Sequence, residues 1–151
     1  MSGEEFLEHV RAASADPQKA LELTLSHFDA DAGTLHSLGS DGLLHLQAYA
    51  GNFPEPLLAV IRTIPVGKGI AGLAVERKAP VDLCNLQTDS SGQARPGAKQ
   101  TGVRGSLCVP LLAGAEAVGA LGVATIRERE FTPEETETLL QTGRILAETR
   151  S

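Results

Sequence analysis

Apolar residues recur at two different periods along the chain, and the changes of period mark its elements. Phe6, Leu7, Val10 and Ala13 recur at helical spacing behind Ser2, with Glu5 three residues after the Ser. That is the pattern of a capped N-terminal helix. Asp16-Pro17 opens a second helix, with Asp as cap and Pro in the first turn; Leu21, Leu25 and Phe28 form its buried stripe, and it should end near Asp29. From residue 33 to 51 the period becomes two, which predicts a hairpin around Gly39-Ser40-Asp41-Gly42. Leu35, Leu44, Leu46 and Ala48 should face one side. Thr34, His36, His45, Gln47 and Tyr49 should face the other. A four-residue loop sets His36 opposite His45, with both imidazoles half-exposed.

A short helix then runs from Pro54-Glu55-Pro56 through Leu57, Leu58 and Ile61. The glycine turn Pro65-Val66-Gly67-Lys68-Gly69 feeds another helix, residues 70–77, whose Ala71, Gly72 and Ala74 allow close packing on a sheet. Residues 80–83 read as a short apolar strand. Residues 106–111 are a strand alternating Ser106, Cys108 and Pro110 with Leu107, Val109 and Leu111. After a turn near Gly114, residues 117–126 are a strand of Gly, Ala and Val, small enough for a central position packed on both faces. Thr132-Pro133-Glu134-Glu135 is a capping box for a last helix. Leu139, Leu140, Gly143 and Leu146 line its apolar side, and Arg144 and Arg150 lie near its negative end. Residues 85–103 fit neither period. Loops longer than about 12–15 residues are uncommon in compact domains and usually functional or disordered. This one is read as the lid of a small-molecule pocket.

Composition narrows the picture. The chain has 151 residues, which predicts a single domain over 1–151, with N-terminal helices in 1–29, sheet and pocket in 33–126 and the C-terminal helix in 132–149. Four Phe, one Tyr and no Trp leave a core of Leu, Val, Ile and Ala, and few stacking platforms for single-stranded nucleic acid. A net charge of -6 argues against a nucleic-acid binder held by phosphate neutralisation. Yet residues 62–104 are basic. Arg62, Lys68, Arg77, Lys78, Arg95, Lys99 and Arg104 outnumber Glu76, Asp82 and Asp89 there. A basic middle in an acidic chain is what an anion-binding pocket would produce. No apolar run suggests a signal peptide or a membrane span, so a cytoplasmic protein with reduced thiols is expected.

The candidate chemistry is sparse. The glycine turn lacks the Gly-Lys-Ser/Thr ending of a nucleotide loop, so a structural turn is expected, with a helix N-terminus that can attract an anion. His36 and His45 have no third ligand, so no metal is expected. All four histidines (His9, His27, His36, His45) lie away from the lid, and no paired carboxylates sit within it. Cys84 and Cys108 lie in apolar contexts without metal-ligand spacing.

Five stretches, taken together and in this order, resemble a GAF domain. They are Pro65-Val66-Gly67-Lys68-Gly69-Ile70-Ala71-Gly72, Pro80-Val81 with Asn85, residues 106–111, Val118-Gly119-Ala120-Leu121-Gly122-Val123, and Phe131-Thr132-Pro133-Glu134-Glu135. The resemblance implies an α+β fold with a central antiparallel sheet of about six strands. The terminal helices would cover one face, and short helices and the lid would close a pocket on the other. It also implies a bacterial, stand-alone signalling module that dimerises through the terminal helices and acts through a protein partner. Cyclic-nucleotide-binding members carry an Asn-Lys pair ahead of the Phe, where this chain has Ile126-Arg127 and Glu128-Arg129. Tetrapyrrole-binding members use a Cys-His pair in the lid, which is missing here, and no cofactor is expected.

The function expected is therefore non-catalytic sensing of a small, anionic ligand. Asn85, Asp89, Arg95, Lys99 and Thr101 on the lid, with Ser106 and Cys108 on the adjoining strand, are the expected contacts, Arg95 or Lys99 pairing with an acid group. One alternative is an enzyme like free methionine-R-sulfoxide reductase, which shares this fold and would have to use Cys84 and Cys108. That family clusters cysteines in and around the lid and places one in the glycine turn, where this chain has Ala71. The other alternative is an interaction module with a filled pocket.

Overall fold

The computed structural model describes residues 2–83 and 102–149. Their elements run α1 (Gly3–Ala12), α2 (Pro17–His27), β1 (Ala32–Leu38), β2 (Leu43–Ala50), α3 (Glu55–Ile61), β3 (Thr63–Pro65), α4 (Gly69–Arg77), β4 (Val81–Leu83), β5 (Gly105–Ala113), β6 (Glu116–Thr125) and α5 (Pro133–Ala147). The caps form as their residue types require. Ser2 accepts from the Glu5 amide at 3.2 Å and Asp16 from the Lys19 amide at 3.2 Å. Thr132 and Glu135 cap each other reciprocally, at 3.1 and 2.9 Å. Each satisfies amides that the first helical turn leaves unpaired.

The strands form one antiparallel sheet in the order β3-β2-β1-β6-β5-β4. The Gly/Ala/Val strand β6 is central, as its small side chains predict. Gly119 lies so close to β1 that a Cβ there would come within 2.3 Å of the His36 carbonyl oxygen. The terminal helices α1, α2 and α5 cover one face. Phe6, Leu21, Leu35, Leu111, Leu121 and Leu146 meet there, each at most 1% exposed. A leucine buried to that degree contributes about 1.5–3 kcal/mol relative to an exposed one. On the opposite face α4 crosses β5 and β6, and Ala74 and Val75 pack against Val81, Cys108 and Ala120. Gly67 and Gly69, at φ 87° and 66°, make the turn into α4. Gly72 lets α4 approach that turn, because a Cβ would meet the Pro65 carbonyl oxygen at 2.6 Å.

The hairpin departs from the sequence expectation. Leu35 pairs with Ala48 but His36 pairs with Leu46, so Gln47 is an extra residue in β2. A one-residue bulge inverts a pattern whose period is two. Leu35 and Ala48 therefore face the terminal helices, whereas Leu44 belongs to the opposite core. His36 faces Leu46, not His45, which pairs with Ser37. His36 is 1% exposed and not half-exposed. His45 instead pairs with Asp41 in the turn at 2.9 Å. The sequence pattern also missed β3. It is three residues at the sheet edge, and Pro65, which cannot donate, is tolerated there because an edge strand has an unpaired side.

Candidate functional site

The face opposite the terminal helices is built in cross-strand rows. One row joins Ala32, Ala124, Ser106 and Leu83 across β1, β6, β5 and β4. The next joins Tyr49, Thr34, Gly122, Cys108 and Val81. The third joins Leu46, His36, Ala120 and Pro110. On the β5 side the rows are covered by α4: Cys108, Val81 and Ala120 are buried beneath it. On the β1 side they are more open. Thr34, Gly122 and Ala124 are half-buried, and Tyr49 is 41% exposed. Phe53 packs by Ala32 and Ala124, with Ile70 of α4 in the same cluster. Its ring lies 5.7 Å from that of Tyr49, at 77°. The less buried part of this face thus lies over β1 and β6, between an aromatic corner and the start of α4. Among the described residues no side chain caps the N-terminal amides of α4.

Among the described residues of these three rows, the polar groups are few and uncharged. Nε2 of His36 lies 2.9 Å from the Ile61 carbonyl oxygen at the end of α3. A carbonyl can only accept, so Nε2 carries the proton and Nδ1 presents a lone pair. That Nδ1 is buried and, among the described residues, has no hydrogen-bond partner. Burial, together with the nearby His45, holds the His36 pKa below the usual 6.5, against the opposing effect of its bond to Ile61. Burial pushes the Cys108 thiol up to about 12, so it is protonated at neutral pH. A protonated buried thiol is neither a nucleophile nor a metal ligand.

Of the residues expected from the sequence, Ser106 and Cys108 do reach this face, in adjacent rows, but both are at least nine-tenths buried. Asn85, Asp89, Arg95, Lys99, Thr101 and Cys84 lie outside the described residues. Sequence reasoning missed Gly122, Phe53 and Ile70 as parts of this face. It placed Thr34, His36 and Tyr49 on one face correctly, without connecting that face to the pocket. The available signal was the scarcity of aromatics: Tyr49 and Phe53 are two of five in the chain, close in sequence and outside the terminal-helix pattern.

Comparison with known proteins places this architecture. The chain matches the GAF domain family model over residues 15–149. No curated protein matches it significantly. Among solved structures it is similar to the GAF domain of the phosphoenolpyruvate-protein phosphotransferase from Acinetobacter, with TM-score 0.80 and 18% identity, over 98% of this chain and 93% of that one. It is also similar to free methionine-R-sulfoxide reductase from Neisseria meningitidis, solved in complex with its substrate, with TM-score 0.78 and 17% identity over 97% and 86% of the two chains. The GAF domain of a phosphoenolpyruvate-protein phosphotransferase from Coxiella burnetii gives TM-score 0.75 and 23% identity over 97% and 90%. At these identities the likeness is one of fold, shared by sensory domains and by an enzyme. The family match over most of the chain, on a six-stranded antiparallel sheet with helices on both faces, establishes that this protein belongs to the GAF domain family.

Proposed function

We propose that this domain senses a small molecule held over β1 and β6, on the face opposite the terminal helices, without catalysis. The observation that carries the reading is the contrast along one row of the sheet. Cys108 and Val81 are buried under α4, while Gly122 and Thr34, on the next two strands, are only half-buried. A sheet face whose apolar neighbours are packed and whose polar centre is open has the make-up of a ligand site. The acid group expected of the ligand would meet the uncapped amides at the start of α4 and the basic side chains Arg95 and Lys99. Asn85, Asp89, Thr101, Ser106 and Cys108 belong to the same proposal. The ligand's differential affinity for two arrangements of the domain would be what a partner protein reads. A homodimer through α1 and α5 is the proposed assembly; Leu7 and Ile145 lie in the groove between those helices.

The reductase reading requires a thiolate, and Cys108 is in the wrong protonation state to supply one. Turnover of free methionine sulfoxide that disappears in Cys84→Ser would restore it. The sensing reading is tested by native mass spectrometry of the purified protein, followed by a thermal-shift screen of amino acids, nucleotides and organic acids. A discrete adduct lost on denaturation, or a compound that raises the melting temperature, is the expected result. A bare protein that no compound stabilises would refute it.

A further inference from the structure

One edge of the sheet is fastened more weakly than the rest of the fold. α3 has seven residues and starts at Pro54, with no side-chain hydrogen bond to cap it. A helix of that length is marginal without packing. It leads into β3, three residues at the sheet edge, paired with β2. Leu57 and Leu58 hold α3 down by burial. Where α3 ends, the Ile61 carbonyl accepts from Nε2 of His36 at 2.9 Å. The next carbonyl, of Arg62, accepts from the Leu46 amide at 2.9 Å. His36 reaches this point from β1, which cannot yield. That strand is paired with β2 on one side and β6 on the other, and Gly119 of β6 leaves no room for a Cβ against the His36 carbonyl. Beside His36 in its row are Leu46 and Ala120, both uncharged. The described charged groups of β2, α3 with its end, and β6 are His45, Glu55, Arg62 and Glu116. Of these His45 acts on His36, as a like charge. The Nδ1 of His36 is buried and, among the described residues, has no hydrogen-bond partner.

We propose that His36 is an acid-sensitive latch: its neutral ring holds α3 and β3 against the sheet, and its protonation releases them while the other strands stay paired. Proton uptake at Nδ1 makes a cation with a second N–H, stripped of water and without an acceptor among the described residues. The bond from Nε2 to Ile61 strengthens with the charge, but one carbonyl does not replace the hydration of an imidazolium. The direction of the His36 pKa has the same sign: burial holds it down against the effect of that bond. Since β1 is fixed on both sides, the charge gains water by displacing the weaker neighbour, the uncapped α3 and its three-residue strand. His45 cannot play this part, because it is 40% exposed and already bonded to Asp41. Release uncovers Leu57 and Leu58 and frees the Leu46 amide, so the outer side of β2 opens. The latch is independent of what the domain senses.

The test is amide hydrogen exchange on the full chain, read by NMR between pH 7.5 and 5. Dividing by the intrinsic rates gives an opening constant at each site. The amides of Leu58, Arg62 and Leu46 report the latch, being bonded to the carbonyls of Pro54, Leu58 and Arg62. Leu121, at the centre of β6, reports global unfolding. The three latch amides should open together, more readily than Leu121 and with little dependence on low urea. The closed state has the lower His36 pKa, so opening takes up a proton. The opening constant should therefore rise by up to about tenfold per pH unit below 6.5. In His36→Gln, whose side chain keeps a donor and takes no proton, the rise should vanish. His45→Asn should keep it. Exchange of the three amides only together with Leu121, at the same urea dependence, would overturn the latch, as would a rise that persists in His36→Gln. The wild-type chain decides even if His36→Gln fails to fold. An opening constant flat between pH 6.5 and 5, or a His36 ring that takes its proton while the three amides stay protected, would also overturn it.

Discussion

Arg129→Ala should cost about 2–3 kcal/mol at neutral pH, and the structure says why. Arg129 precedes α5, and its side chain is 13% exposed. Its Nη1 donates to the Phe28 carbonyl at 2.6 Å, at the end of α2. Its Nη2 donates to Glu135 in the first turn of α5, and the guanidinium lies 4.4 Å from the centre of the Phe131 ring. One cation thus ties the end of α2 to the start of α5. Hydrogen bonds to charged groups are worth about 1.5–3 kcal/mol each, and a partly exposed cation–π contact about 0.5–1. The full sum is not expected, because Glu135 is 30% exposed and water can replace part of what the arginine gave. For a chain of this length the loss corresponds to a melting temperature lower by roughly 4–12 °C. Arg129→Lys should recover at most half, since a single ammonium cannot reach the carbonyl and the carboxylate in one geometry. A second reading comes from pH. Burial alone would raise the Glu135 pKa, but the bonds from the Thr132 amide and Arg129 outweigh it and hold the value below the usual 4.5. A carboxylate with a depressed folded pKa gives stability that is present above its unfolded pKa and lost as pH falls through the folded one. The Arg129→Ala penalty should therefore shrink in acid. Urea unfolding of both proteins at pH 7 and pH 3.5 measures this. A penalty under about 0.5 kcal/mol at pH 7, the level of an ordinary surface substitution, would refute the clamp. A penalty equal at both pH values would refute the role of Glu135 in it.

Two further outcomes follow from the buried groups. The Cys108 thiol, pushed up to about 12 by burial, should resist iodoacetamide at pH 8 in the folded protein and react on unfolding, as read by peptide mass spectrometry; rapid native alkylation would contradict its placement under α4. Because burial holds the His36 pKa below 6.5, the unfolded chain takes up that proton first as pH falls below 6.5, so wild-type stability should decline with acid by up to about 1.4 kcal/mol per pH unit for this one group. His36→Gln should remove that part of the slope between pH 7 and 5. His27, whose pKa burial also lowers, stays in both proteins and cancels in the comparison. Identical slopes would mean that His36 is not buried neutral.

Local chemistry determined much of this protein by itself. Ser2, Asp16 and Thr132 place helix starts because a cap needs only a side chain within reach of the next turn's amides. The small residues of β6 announce a central strand because only small side chains let neighbours close in on both faces. Tertiary structure decided what local pattern cannot encode. The Gln47 bulge is invisible in a two-residue alternation, yet it puts Leu44 and Leu46 on the face opposite Ala48, so that Leu46 and not His45 lies beside His36. The burial of His36 depends on α3 setting the Ile61 carbonyl over it, a contact between residues 25 apart in sequence. Gly122 reads like any other strand glycine until its neighbours are in place. Only their distances separate it from Gly119, which the sheet requires.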